Sequence, residues 1–136
     1  MSMSTAQYRG FGFYTHNISE ENTKAFCKKY LSVLEKIPNE ETVDACEFDV
    51  ENYYEGLAEA VAKVINTQTK LDVSEFSHQD EYGREAVMLL AQLPWVYNEH
   101  ERTLTRDELL NELEPYASIL GIKRDEIDVV EIEYYG

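Results

Sequence analysis

Three histidines (His16, His78, His100), two cysteines (Cys27, Cys46) and 27 carboxylates are the side chains that could do chemistry in this 136-residue chain. His78 with Asp80 and Glu81 comes nearest to a metal set. It lacks the HxH, HExxH or calcium-loop spacing that fixes such ligands, and solvated turn residues are the plainer reading. A Cys–His nucleophile needs a thiolate. Cys27 adjoins the apolar Phe26–Tyr30 stripe and Cys46 lies among Asp44, Glu47 and Asp49, and both surroundings disfavour one. Gly10-Phe11-Gly12-Phe13 lacks the third glycine and the Lys-Ser/Thr of phosphate loops. The expectation is therefore no catalytic residue, no cofactor and no metal.

The carboxylates are the feature with a pattern. The formal net charge is −15. Residues 1–37 carry five basic and three acidic groups, a balance of +2, and residues 38–136 carry seven basic and 24 acidic groups, a balance of −17. Between Pro38 and Ala62 there are eight acids and no base. Such a chain repels nucleic acid and anionic membrane and attracts basic protein surfaces. Glu51, Glu55 and Glu59 are spaced i, i+4, i+8 within a helix predicted over Val50 to Thr67. A rise of about 1.5 Å per residue repeats them every ~6 Å along one edge. Asp44 and Glu47 extend the zone upstream, and Glu108 and Glu112 repeat the spacing on a later helix. Tyr53, Tyr54, Tyr82 and Tyr97 add contact area at such a surface. The candidate partner-binding residues are Glu47, Glu51, Glu55, Glu59, Glu108, Glu112 and Tyr53. The competing reading is a solvated face that keeps the chain dispersed.

The elements that hold these groups follow from periodicity. Tyr8–Thr15 reads as a first strand whose glycines permit close approach of a neighbour. Ser19 caps a helix with the apolar stripe Phe26, Tyr30, Val33, Leu34 and Ile37, stopped by Pro38, with Lys24 and Lys28 in water. Asp49 caps the second helix, in which mid-helix Gly56 costs about 1 kcal/mol relative to Ala. Leu71–Ser77 and the apolar run Ala86–Trp95 read as a hairpin, although Ala86 to Leu93 also fits helical spacing. Thr105-Arg106-Asp107-Glu108 is a capping box for a third helix, with Leu104 and Leu109 as its staple and Gly121 as its C-terminal cap. Ile127–Tyr135 is the last strand. The expected fold is α+β: one domain over residues 1–136, with a small mixed or antiparallel sheet of about four strands and about three helices mainly on one face.

In size and charge the chain resembles the small acidic anti-defence proteins of phages and mobile elements, the anti-CRISPR inhibitors among them. The resemblance is one of composition and carries no functional residue across. It implies a non-enzymatic inhibitor that occupies a basic nucleic-acid-binding surface of a protein partner as a nucleic-acid mimic. Alternatives are a self-associating structural or adaptor protein, hence a possible homo-oligomer, and a small metal-binding enzyme using His78, Asp80 and Glu81. The N-terminus lacks a signal-peptide layout and no run of 18 apolar residues occurs. The expected location is the cytoplasm, that of the host if the protein is viral, with both thiols reduced and mostly buried.

Overall fold

A computed structural model describes residues 5–77, 82–90 and 99–135. Its elements run β1 (Thr5–Tyr14), α1 (Glu20–Lys29), α2 (Glu40–Asp44), a 3₁₀ turn (Val50–Asn52), α3 (Leu57–Gln68), β2 (Ser74–Phe76), β3 (Ala86–Leu90), α4 (Glu99–Arg102), α5 (Arg106–Ile119), a second 3₁₀ turn (Arg124–Glu126) and β4 (Asp128–Tyr135). The strands form one antiparallel sheet in the order β2-β3-β1-β4. This is the expected α+β fold.

The apolar run from Ala86 is a strand up to Leu90, and it lies inside the sheet between β2 and β1. Residues 91–98, including Pro94, Trp95 and Tyr97, lie outside the described residues, as do His78, Asp80 and Glu81. Gly12 pairs with Met88 and Gly10 with Leu90. A Cβ at either glycine would collide with a β3 carbonyl, that of Val87 or of Leu89. The two glycines thus let the central strands close on each other.

Strand alternation gives the sheet two faces. Phe13, Val87 and Leu89 point to the helices and join Phe26, Leu34, Val61, Ile65 and Leu113 in the main core. Phe76, Ala86, Met88, Val130 and Ile132 form a second buried cluster on the opposite face, with Tyr8 and Tyr14 packed against it. On β4 the dry face is therefore the one turned away from the helices, while Val129 is 50 % exposed on the other.

Two helices depart from expectation. The first ends at Lys29 and the chain continues to Ile37 in turns, with Val33 and Leu34 N–H groups both donating to the Tyr30 carbonyl. Phe26, Tyr30, Leu34 and Ile37 still reach the core. The turns keep the apolar spacing without the helix. The second predicted helix is not continuous. Asp49 caps only the 3₁₀ turn, accepting from the Glu51 N–H at 2.9 Å, and α3 starts only at Leu57. Gly56 is the N-cap of α3 and not a mid-helix residue. Its backbone is extended (φ −174°), a conformation open to any residue. What selects glycine is space: a Cβ there would stand 2.6 Å from Glu85 Oε1 and 2.9 Å from Ser77 Oγ.

The third helix is as read. Thr105 Oγ1 accepts the Glu108 N–H at 3.2 Å and Glu108 Oε1 accepts the Thr105 N–H at 3.1 Å. Gly121 takes a positive φ of 81°, and the Ile122 and Gly121 N–H groups close the helix on the Ala117 and Ser118 carbonyls. Cys27 is buried, and its burial pushes the thiol up to about 12. Cys46 is exposed, against the expectation of two mostly buried thiols. No helix among the described residues is long and apolar enough to cross a membrane.

Candidate functional site

The acid row expected on one helix is not built. With the chain broken at Gly56, Glu51 stands in the 3₁₀ turn, Glu55 precedes the cap, and Glu59 alone belongs to the first turn of α3. A helical repeat of ~6 Å needs one axis, and these three residues do not share one. Glu108 and Glu112 do keep their spacing on α5, but each has a task inside the chain. Glu108 closes the capping box. Glu112 meets His100 Nε2 at 3.0 Å. Upstream, Lys28 Nζ lies 3.0 Å from Asp44 and 3.3 Å from Glu40, and those two carboxylates lift its pKa above the usual lysine range. Lys24 is half-buried, not fully solvated, and its ammonium donates to the Ala45 carbonyl at 3.0 Å.

Two acidic surfaces result. The first lies around the 3₁₀ turn. Glu47 and Glu51 are exposed there. Beside them Phe48 and Tyr53 stack with centroids 6.0 Å apart at 18°. A shallow cavity of about 200 Å³ runs between Glu47, Phe48, Asp49 and Tyr53. The aromatic pair is half-buried, so it offers a flat apolar floor inside an anionic rim.

The second surface is more enclosed. Glu55, Glu59 and Glu75 each bring a carboxylate oxygen within 4.8 Å of the others. Glu59 Oε2 accepts the Glu55 N–H at 3.2 Å, and Ser77 Oγ donates to Glu75 Oε2 at 3.0 Å. Glu85, the residue before β3, approaches Gly56. Desolvation raises the Glu75 pKa, and the charges of Glu59, Glu55 and Glu85 push the same way, opposed by the Ser77 hydrogen bond. Among the described residues no lysine, arginine or histidine pairs with these four acids.

Glu75 and Glu85 did not stand out in the sequence. The signal was present, since Val73, Glu75 and Ser77 alternate on one face, and Val73 is core. Glu101, 4 % exposed, was also missed; it accepts the Asp72 N–H at 2.6 Å.

The basic groups gather elsewhere. Arg106, Lys123 and Arg124 rim a cavity of about 640 Å³ floored by Leu110 and Ile127. Arg106 already pairs with Asp128 at 2.8 Å and Arg124 with Glu114. His16 is similarly engaged, its Nδ1 accepting the Glu85 N–H at 3.2 Å.

Comparison with protein-family models, with curated proteins and with solved structures returns no match.

Proposed function

We propose that the protein is a non-enzymatic binding protein that occupies a basic, nucleic-acid-binding surface of a protein partner and so inhibits it. The observation that carries this reading is the exposed Glu47 and Asp49 lining the cavity beside the stacked Phe48 and Tyr53, with the exposed Glu51 following in the 3₁₀ turn. Acids steer a cationic partner into contact, and a rigid aromatic floor supplies area that becomes dry on binding. The excess of 17 negative charges over residues 38–136 supplies the long-range attraction. Evenly spaced phosphate imitation along one helix edge is not part of the proposal, because Glu51, Glu55 and Glu59 do not share a helix. Glu55 and Glu59 add to the field from the neighbouring surface.

The test is displacement. The chain is added to complexes of basic nucleic-acid-handling proteins with labelled DNA, and release is followed as salt is raised. Release by the wild type that fades with salt, and is lost in Glu47→Lys/Glu51→Lys, supports the proposal. Release unaffected by the charge reversal, or no release from any basic protein tried, contradicts it.

A further inference from the structure

We infer that the cavity between the start of α5 and the start of β4 binds an aliphatic carboxylate, with Arg106, Lys123 and Arg124 around the carboxyl group and Leu110 and Ile127 under the hydrocarbon body. The inference uses none of the acids around the first 3₁₀ turn and goes beyond the partner-binding reading.

The first ground is where positive charge collects in an acidic chain. Arg106 opens α5, Lys123 caps the second 3₁₀ turn and Arg124 begins it, and all three line one cavity. Its volume of about 640 Å³ falls within the range of roughly 300–1,000 Å³ usual for small-molecule sites. The two guanidinium groups are held in place by acids of the chain. Arg106 Nη2 lies 2.8 Å from Asp128 Oδ1, which also accepts the Val129 N–H at 2.8 Å. Arg124 Nη1 donates to Asn111 Oδ1 at 3.0 Å and pairs with Glu114. Each guanidinium is thus anchored through one nitrogen and carries further N–H donors, in the planar fork that matches a carboxylate. The Lys123 ammonium has no carboxylate partner among the described residues.

The second ground is the apolar surface beside those cations. Leu110 and Ile127 are buried and floor the cavity. Arg106 also stands 5.4 Å over the Phe11 ring, and Phe11 pairs across the sheet with Val129. Val129 is 50 % exposed, an unusual state for a large apolar side chain in this molecule. Arg106 therefore borders both the cavity floor and an exposed valine. Cations beside a continuous apolar surface suit an occupant that is charged at one end and greasy at the other.

The lining decides the class of head group. Three cations face two carboxylates, Asp125 and Asp128, which leaves a surplus of one positive charge. One negative charge balances it. A phosphate monoester in its dianionic form brings a second charge against Asp125 and Asp128, within a chain already at −15. A neutral apolar molecule leaves the charged rim desolvated and unpaired. The branched aliphatic floor favours an alkyl body.

Sodium octanoate titrated into the isotope-labelled full chain, followed by heteronuclear NMR, tests this. The expected result is a saturable shift for one site per chain, centred on the amides of Leu110, Lys123, Ile127 and Val129. Octanamide keeps the body without the charge, and acetate keeps the charge without the body. Each is expected to bind at least about tenfold more weakly than octanoate. Arg106→Gln/Lys123→Gln, with the fold intact by circular dichroism, is expected to weaken octanoate binding at least about tenfold. Lys36→Gln/Lys63→Gln removes the same charge elsewhere and is expected to bind as the wild type does. No saturable shift in the wild type overturns the inference. So does octanamide binding as tightly as octanoate, or an equal loss in both double variants, which identifies a response to net charge and not to a site.

Discussion

The Glu101 carboxylate accepts the backbone N–H of Asp72 at 2.6 Å, tying the short helix α4 to the segment that leads into β2. With Glu101 only 4 % exposed, this is an acid held inside a chain that has acids to spare on its surface. Removing it leaves the Asp72 N–H without that acceptor. Glu101→Ala is expected to cost about 1–3 kcal/mol in denaturant unfolding, and Glu101→Gln, which keeps an acceptor oxygen, distinctly less. The exposed neighbour change Glu99→Ala is expected to fall within about 0.5 kcal/mol of wild type. Equal, negligible losses at 99 and 101 would refute the contact.

Gly56 gives a prediction whose sign separates two readings. A glycine inside a helix gains about 1 kcal/mol on replacement by alanine. As an N-cap facing Glu85 and Ser77, it loses instead. Gly56→Ala is expected to lower stability by about 1 kcal/mol, from poorer capping and the crowding of Glu85. A stabilised Gly56→Ala protein would mean that one helix runs from Val50 onward.

The two thiols should differ sharply. Cys46 is exposed and Cys27 is buried, with its pKa pushed up to about 12. One thiol per chain is expected to react with a maleimide in the native state and two after denaturation. Two fast native thiols would contradict the packing of α1.

Glu75 links the carboxylate cluster to pH. Its folded-state pKa is raised, so between the ordinary glutamate value and the raised one the folded chain holds a proton that the unfolded chain has released. The stability this group contributes is present below the ordinary value and is lost as pH rises through that window. Glu75→Gln is therefore expected to melt higher than wild type at neutral pH, with the gap closing in acid. A gap independent of pH would mean that packing, not charge, is responsible.

Much of the fold was legible. The capping box at Thr105, the paired glycines of β1 and the apolar run of β3 are local signals, and each leads to the element it implies. The acid row was not legible, because i, i+4 spacing is a helix signal only while the helix continues. Asp49 marks a start, but space beside Gly56 decides where the real helix begins, and that space is set by Glu85 and Ser77, more than 20 positions away. Likewise the tasks of Glu108 and Glu112 turn on partners: one is three residues distant and readable, the other is His100, brought near by tertiary packing. The convergence of Glu75 and Glu85 on Glu55 is a matter of strand register, which no single segment encodes.

That convergence is the central structural claim about the second acidic surface, and the carboxyl titration of Glu75 followed by carbon-detected NMR tests it most directly. Glu75 is expected to titrate above the ordinary glutamate value in the wild type and to move down in Glu55→Gln/Glu59→Gln. A Glu75 that titrates as a free glutamate, and does not respond to its neighbours, would place the four acids apart and contradict the account.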